Sequence, residues 1–117
     1  MPLESVIRKE GSVTFVALRG KVTLGEGSEA VRTVVEQLAI EGCHQIVLNL
    51  SGVPFIDSAG LGALALGYTR LKKAGGLLKL AEAPPRVQDA LEMTRLTRLF
   101  PVYTSERDAA SSFADIV

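Results

Sequence analysis

At 117 residues the chain can build one hydrophobic core and is too short for a multidomain enzyme, so a single domain over residues 1–117 is expected. Hydrophobic residues make up 47% and aromatic residues 5%, which points to an aliphatic core. Thirteen basic side chains cancel thirteen acidic ones, with no long run of either sign, which argues against nucleic acid or an anionic membrane as partner. The one cysteine, Cys43, rules out an internal disulfide and a cysteine-built metal site and fits a reducing compartment. The lone His44, just before a strand, reads as an exposed loop residue rather than a ligand or base. No apolar run reaches membrane-spanning length, and Met1-Pro2-Leu3-Glu4 lacks the charged and apolar regions of a signal peptide. A cytoplasmic protein with no metal and no cofactor is expected.

Leu3 to Lys9 and Val13 to Leu18 read as two strands, joined by the turn Lys9-Glu10-Gly11-Ser12 into an antiparallel hairpin. Val13, Phe15 and Ala17 are expected on one side, Val16 and Leu18 on the other. Arg19 to Gly27 reads as a loop, and Ser28 as the N-cap of a helix. That helix shows the stripe Val31, Val34, Val35, Leu38, Ala39 and stops at Gly42. Ile46 to Leu50 is the apolar run of a strand buried on both faces. A second helix runs from Asp57 to about Ala74, with Leu61, Leu64, Ala65, Tyr68 and Leu71 on its inner face. Arg70, Lys72 and Lys73 favour its C-terminal end, and Gly75-Gly76 stops it. Leu77 to Leu80 is a short strand. Pro84-Pro85 opens a third helix, with Val87, Ala90 and Leu91 inward. Phe100 to Tyr103 reads as a last strand, and Ser105 caps a terminal helix through about Phe113. The order ββαβαβαβα implies an α/β fold: a mixed, mostly parallel sheet opened by an antiparallel hairpin, with about four helices.

The chemistry concentrates where the central strand hands over to the second helix. After Ser51-Gly52 and Pro54, Asp57-Ser58 puts a hydroxyl at a helix start, where free N–H groups and the helix dipole suit a phosphate. Gly60 and Gly62 cost about 1 kcal/mol each against alanine in a helix, so a packing or contact requirement is expected. A low glycine surface would let a partner's backbone approach closely.

Asp57-Ser58-Ala59-Gly60-Leu61-Gly62 after an apolar strand resembles the signature of the bacterial anti-sigma factor antagonists, the STAS domains. The resemblance spans nearly the whole chain: the opening hairpin, the Gly20 loop, the signature, Lys72-Lys73 with Gly75-Gly76, and the tail Leu99-Phe100-Pro101-Val102-Tyr103. It implies a partner-switching regulator of transcription with no catalytic residues of its own. In that family the unphosphorylated form binds an anti-sigma factor, itself a serine kinase, and frees a sigma factor. By the resemblance, phosphorylation of Ser58 is expected to break that complex and a serine phosphatase to restore it. The partner surface it implies comprises Asp57, Ser58, Ala59, Gly60, Leu61 and Gly62, with Lys21 and Thr23 from the Gly20 loop. A monomer or weak dimer is compatible with the resemblance. Three positions depart from the family pattern. Ala59 stands where relatives often carry a second hydroxyl. Lys21-Val22-Thr23 follows Gly20 where an acidic residue, a hydrophobe and an aspartate are usual. Arg95 occupies a helix end that often carries glycine.

Other classes fit less well. A nucleophile elbow needs glycine at position 56, which is Ile56. Gly62-Ala63-Leu64-Ala65-Leu66-Gly67-Tyr68-Thr69 mimics a phosphate-binding loop with tyrosine in place of the essential lysine, and it lies inside a helix pattern. A receiver domain with Asp57 as acceptor needs an acidic pair after its first strand to hold magnesium; here that region offers only Glu10. A STAS scaffold or accessory domain in a stress-sensing, transporter or lipid-transport complex keeps the fold but changes the job.

Overall fold

The tight turn at Gly11, at φ 61°, closes a hairpin: β1 (Glu4–Glu10) pairs antiparallel with β2 (Val13–Arg19), Glu10 opposite Val13 and Glu4 opposite Arg19. The computed structural model describes residues 3–114; Met1 and Pro2, which open the N-terminal tetrapeptide considered above, lie outside the described residues. Beyond the hairpin the elements are α1 (Glu26–Ile40), β3 (Gln45–Gly52), α2 (Ser58–Lys73), β4 (Leu77–Ala81), α3 (Pro85–Met93), β5 (Val102–Tyr103) and α4 (Glu106–Ala114). The order matches the expected ββαβαβαβα, with one addition, a 3-10 turn at Leu96–Arg98. The sheet is ordered β1-β2-β3-β4-β5, and every neighbouring pair after the first is parallel.

The two faces of the sheet are unequally covered. Val16 and Leu18 of β2, Ile46, Leu48 and Leu50 of β3, and Leu78 and Leu80 of β4 pack with Val31, Val35 and Leu38 of α1, Leu61, Leu64 and Leu71 of α2, and Val87 and Leu91 of α3. On the opposite face a smaller cluster joins Phe15, Val47 and Ala81 to Ala109 and Phe113 of α4. The central strand is therefore buried on both faces, as its apolar run requires. Leu64 has no exposed surface. Leu64→Ala is expected to cost about 2–5 kcal/mol in urea unfolding. A loss below about 0.5 kcal/mol would mean that the inner face of α2 is misassigned.

Three local expectations change. Helix α1 begins before Ser28, because Gly25, at φ 94°, is its N-cap; Ser28 sits inside the first turn and donates from Oγ to the Gly25 carbonyl at 3.2 Å. The last strand is shorter than Phe100 to Tyr103. Pro101 lacks the N–H that a ladder needs, so pairing with β4 starts at Val102, and Phe100 is instead fully buried, edge-on to Tyr68 at 5.5 Å. Ala65 and Tyr68 are only half-buried.

Helix ends follow their sequence signals. The N–H groups of Gly75 and Gly76 return to the carbonyls of Lys72 and Leu71 at 3.0 and 2.9 Å, with Gly75 at φ 90°, so α2 stops where glycine permits a left-handed residue. At α4, Ser105 Oγ accepts from the Asp108 N–H at 3.0 Å. After α3 the same left-handed turn falls on Arg95 (φ 61°, ψ 20°), a residue with a Cβ and an exposed side chain. Arg95→Gly is therefore expected to raise stability by about 0.5–1 kcal/mol in chemical unfolding. A destabilised variant would show that the arginine side chain holds the turn.

Candidate functional site at the start of the second helix

Past the end of β3 the chain turns through Val53, buried and bonded back from its N–H to the Leu50 carbonyl at 2.9 Å, and runs alongside the Gly20 loop. Gly20 N–H donates to the Gly52 carbonyl (3.0 Å), Val22 N–H to the Phe55 carbonyl (3.1 Å) and Asp57 N–H to the Val22 carbonyl (3.3 Å). Val22 and Ile56, both buried, form an isolated parallel bridge. Two loops distant in sequence thus make one small ledge at the carboxyl ends of β2 and β3.

Asp57 organises the ledge. It is the N-cap of α2, and its Oδ1 accepts from the Gly60 N–H at 2.9 Å. Its Oδ2 accepts from the Leu24 N–H, also at 2.9 Å. These two bonds, that from Leu24 first, outweigh desolvation and hold the carboxyl below the ordinary aspartate range. A carboxyl lowered on folding contributes stability above its unfolded value of about 3.9, and that contribution is lost as pH falls through the folded value. The Leu24 and Gly60 amide resonances are therefore expected to titrate together, with a midpoint below about 3.9. A midpoint at or above that value would contradict the double acceptor.

The residues singled out from sequence fall into three groups by exposure. Ser58, the first residue of α2, is exposed, as are Gly62 and Lys21; Asp57, Ala59 and Thr23 are half-buried. Gly60 and Leu61 are buried. A Cβ on Gly60 would lie 2.0 Å from the Val22 carbonyl oxygen, so this glycine is required by packing inside the chain. Around Gly62 there is open space, as a low outer surface requires. Sequence reasoning missed two apolar side chains beside these residues: Leu24, 80% exposed, and Phe55, 39% exposed. Neither carries a periodic signal, since both lie in loops.

It also missed Asn49, a buried polar residue within the apolar run of β3. Its Nδ2 donates to Glu106 Oε2 at 2.9 Å and its Oδ1 accepts from the Ser51 N–H at 2.9 Å. Arg8, stacked on Phe15, donates to Glu106 Oε1 at 3.1 Å. Burial pushes the Glu106 carboxyl up, but the bonds from Asn49 and Arg8 and the Arg8 charge prevail and lower it. This network ties α4 to the central strand.

Among the described residues no cluster of three or more His, Cys, Asp or Glu side chains could hold a metal ion, and no helix is long and apolar enough to cross a membrane.

Residues 4–109 match the STAS domain family. The chain is 28% identical over 109 residues to the Anti-sigma F factor antagonist of Paenibacillus polymyxa, covering 93% of each chain. Its fold is similar to that of an anti-sigma factor antagonist from Mycobacterium paratuberculosis (TM-score 0.83, 24% identity, 94% of this chain and 92% of that one). It is also similar to the Bacillus cell fate determinant SpoIIAA in the phosphorylated form (TM-score 0.71, 17% identity, 94% and 99%). With the ledge, the capped helix start and the mixed five-stranded sheet in place, these matches identify the chain as a member of the STAS domain family.

Proposed function

We propose that this protein is an anti-sigma factor antagonist, not an enzyme, whose unphosphorylated form binds an anti-sigma factor with serine kinase activity in the cytoplasm and thereby releases a sigma factor. Phosphate on Ser58 switches that binding off, and a serine phosphatase switches it back on. One observation carries the reading: Ser58 is exposed at the first position of α2, while the cap itself is made by Asp57. The hydroxyl can then be modified without dismantling the cap. A phosphate there would add roughly two negative charges beside Asp57, where the helix dipole favours it by about 1 kcal/mol. A partner covering the same surface would have to bury a dianion without a matching cation. That costs several kcal/mol, against about 8 kcal/mol for the whole of a micromolar complex. The switch therefore works at the interface rather than in the core.

Incubation with the cognate kinase and ATP is expected to place a single acid-stable phosphate on Ser58. A hydroxylamine-sensitive acyl phosphate on Asp57, or an acid-stable phosphate elsewhere, would sink the assignment. From the native cell, Ser58→Ala is expected to co-purify with a GHKL-type kinase that Ser58→Asp does not retain; transporter subunits in that place would favour an accessory-domain role instead.

A further inference from the structure

The cap of α2 needs one carboxylate oxygen, and Asp57 supplies it from Oδ1 to the Gly60 N–H. The second oxygen reaches across thirty-three positions of sequence to the N–H of Leu24. The Gly20 loop is already fixed two residues earlier, at Val22, through bonds to Phe55 and Asp57 and a buried side chain. The fold therefore gains its core residue from Val22, and the Oδ2 bond does something further. Bonds from the Ser28 and Glu29 N–H groups to the Thr23 and Gly25 carbonyls already tie both neighbours of Leu24 into α1, and Oδ2 adds the tether on the N–H of Leu24 itself, a leucine whose side chain is 80% exposed. Other exposed apolar side chains, such as Met93 and Ile40, sit in helices, where the helix ladder already orders the backbone. Among the described residues, Leu24 is the exposed apolar loop residue whose N–H is held by a side chain from another segment, and that side chain, Asp57, immediately precedes Ser58.

We propose that Asp57 is a positioning residue that presents Leu24 as an apolar anchor for the same partner protein that Ser58 regulates. The inference rests on the proposed function and adds to it an anchor outside the signature. A leucine on a loop ordered in advance loses little freedom on docking, so more of its burial contributes to affinity. The partner must offer an apolar depression within reach of the surface it lays over Ser58 and Gly62. Lys21 flanks the anchor and is exposed, so an acidic rim on that depression is complementary.

Asp57→Asn separates the two roles. Asparagine still caps, accepting from the Gly60 N–H through its carbonyl, but its NH2 group cannot accept from the Leu24 N–H. Amide hydrogen exchange followed by NMR is expected to show the Leu24 amide losing about tenfold in protection in this variant, with Gly60 unchanged. In titrations with the cognate kinase, Leu24→Ala is expected to weaken binding by about tenfold or more. Asp57→Asn should weaken it by no more than Leu24→Ala, and the double variant should match Leu24→Ala alone. Unchanged Leu24 protection in Asp57→Asn overturns the latch whatever the binding data. Additive binding losses overturn the coupling, since Asp57 would then touch the partner directly. If the unmodified protein binds no cognate kinase, both the functional reading and the anchor fall, while the exchange data still decide the latch by themselves.

Discussion

Gly60→Ala is expected to destabilise the protein by about 3 kcal/mol or more, the largest effect of any single methyl group added to the signature. The added Cβ would lie 2.0 Å from the Val22 carbonyl oxygen, 2.7 Å from Ile56 Cγ1 and 2.9 Å from the Val22 carbonyl carbon. Two of those neighbours are backbone, and that backbone cannot retreat cheaply. Val22 N–H is bonded to Phe55, its carbonyl accepts from Asp57, and its side chain is fully buried. Relief of the clash would pull the Gly20 loop off the start of α2. Gly62, two residues on, predicts the opposite. It is exposed with nothing within 4 Å of an added Cβ, so Gly62→Ala should gain up to about 1 kcal/mol of helix propensity. If the outer surface must stay low for a partner, the same variant should be more stable and yet bind more weakly. Urea unfolding of the pair checks the account. Equal and small effects at both positions would mean that the close approach of Val22 to α2 is wrong.

Ser58→Asp and Ser58→Glu are expected to fold as stably as the unmodified protein and to bind the anti-sigma partner about a hundredfold more weakly, equivalent to a few kcal/mol. Each adds about one negative charge, without the full charge or oxygens of a phosphate. An acidic side chain in the first turn of α2 is favourable by about 0.3–1 kcal/mol, and Asp57 retains both of its bonds. If charge is the main cause, added salt should restore part of the affinity. Ser58→Ala should still bind and remain locked in the active state, since losing an exposed hydroxyl leaves the ledge intact. Ser58→Asp losing several kcal/mol of folding stability would place the switch in the helix start rather than at the interface.

Much of this was legible in the chain itself, for identifiable reasons. Two strand-forming runs around the Gly11 turn marked the hairpin, the almost purely apolar run from Ile46 to Leu50 marked the doubly buried strand, and Asp57 with Gly75-Gly76 marked both ends of α2. Each is a local signal, and each survives in the fold because tertiary packing agrees with it. The misses are contacts between segments remote in sequence. Ser28 looked like a cap because cap preference is read locally, whereas the turn is set by Gly25 and by a bond from the Ser28 N–H to the Thr23 carbonyl. Gly60 and Gly62 look alike in the signature, and only the passage of Val22 over one of them tells them apart. Leu24 and Asn49 acquire meaning from partners thirty-three and fifty-seven positions away. No window of sequence contains both halves of either bond.

One phosphate on Ser58 is expected to abolish partner binding while the fold is kept. The direct measurement is a calorimetric titration of the cognate anti-sigma kinase with unmodified protein and with protein phosphorylated only on Ser58, each also unfolded in urea. Phosphorylation is expected to lower affinity by about a hundredfold or more, with unfolding free energies that agree within about 1 kcal/mol. Equal affinities for the two forms, or a phosphoprotein several kcal/mol less stable, would contradict it.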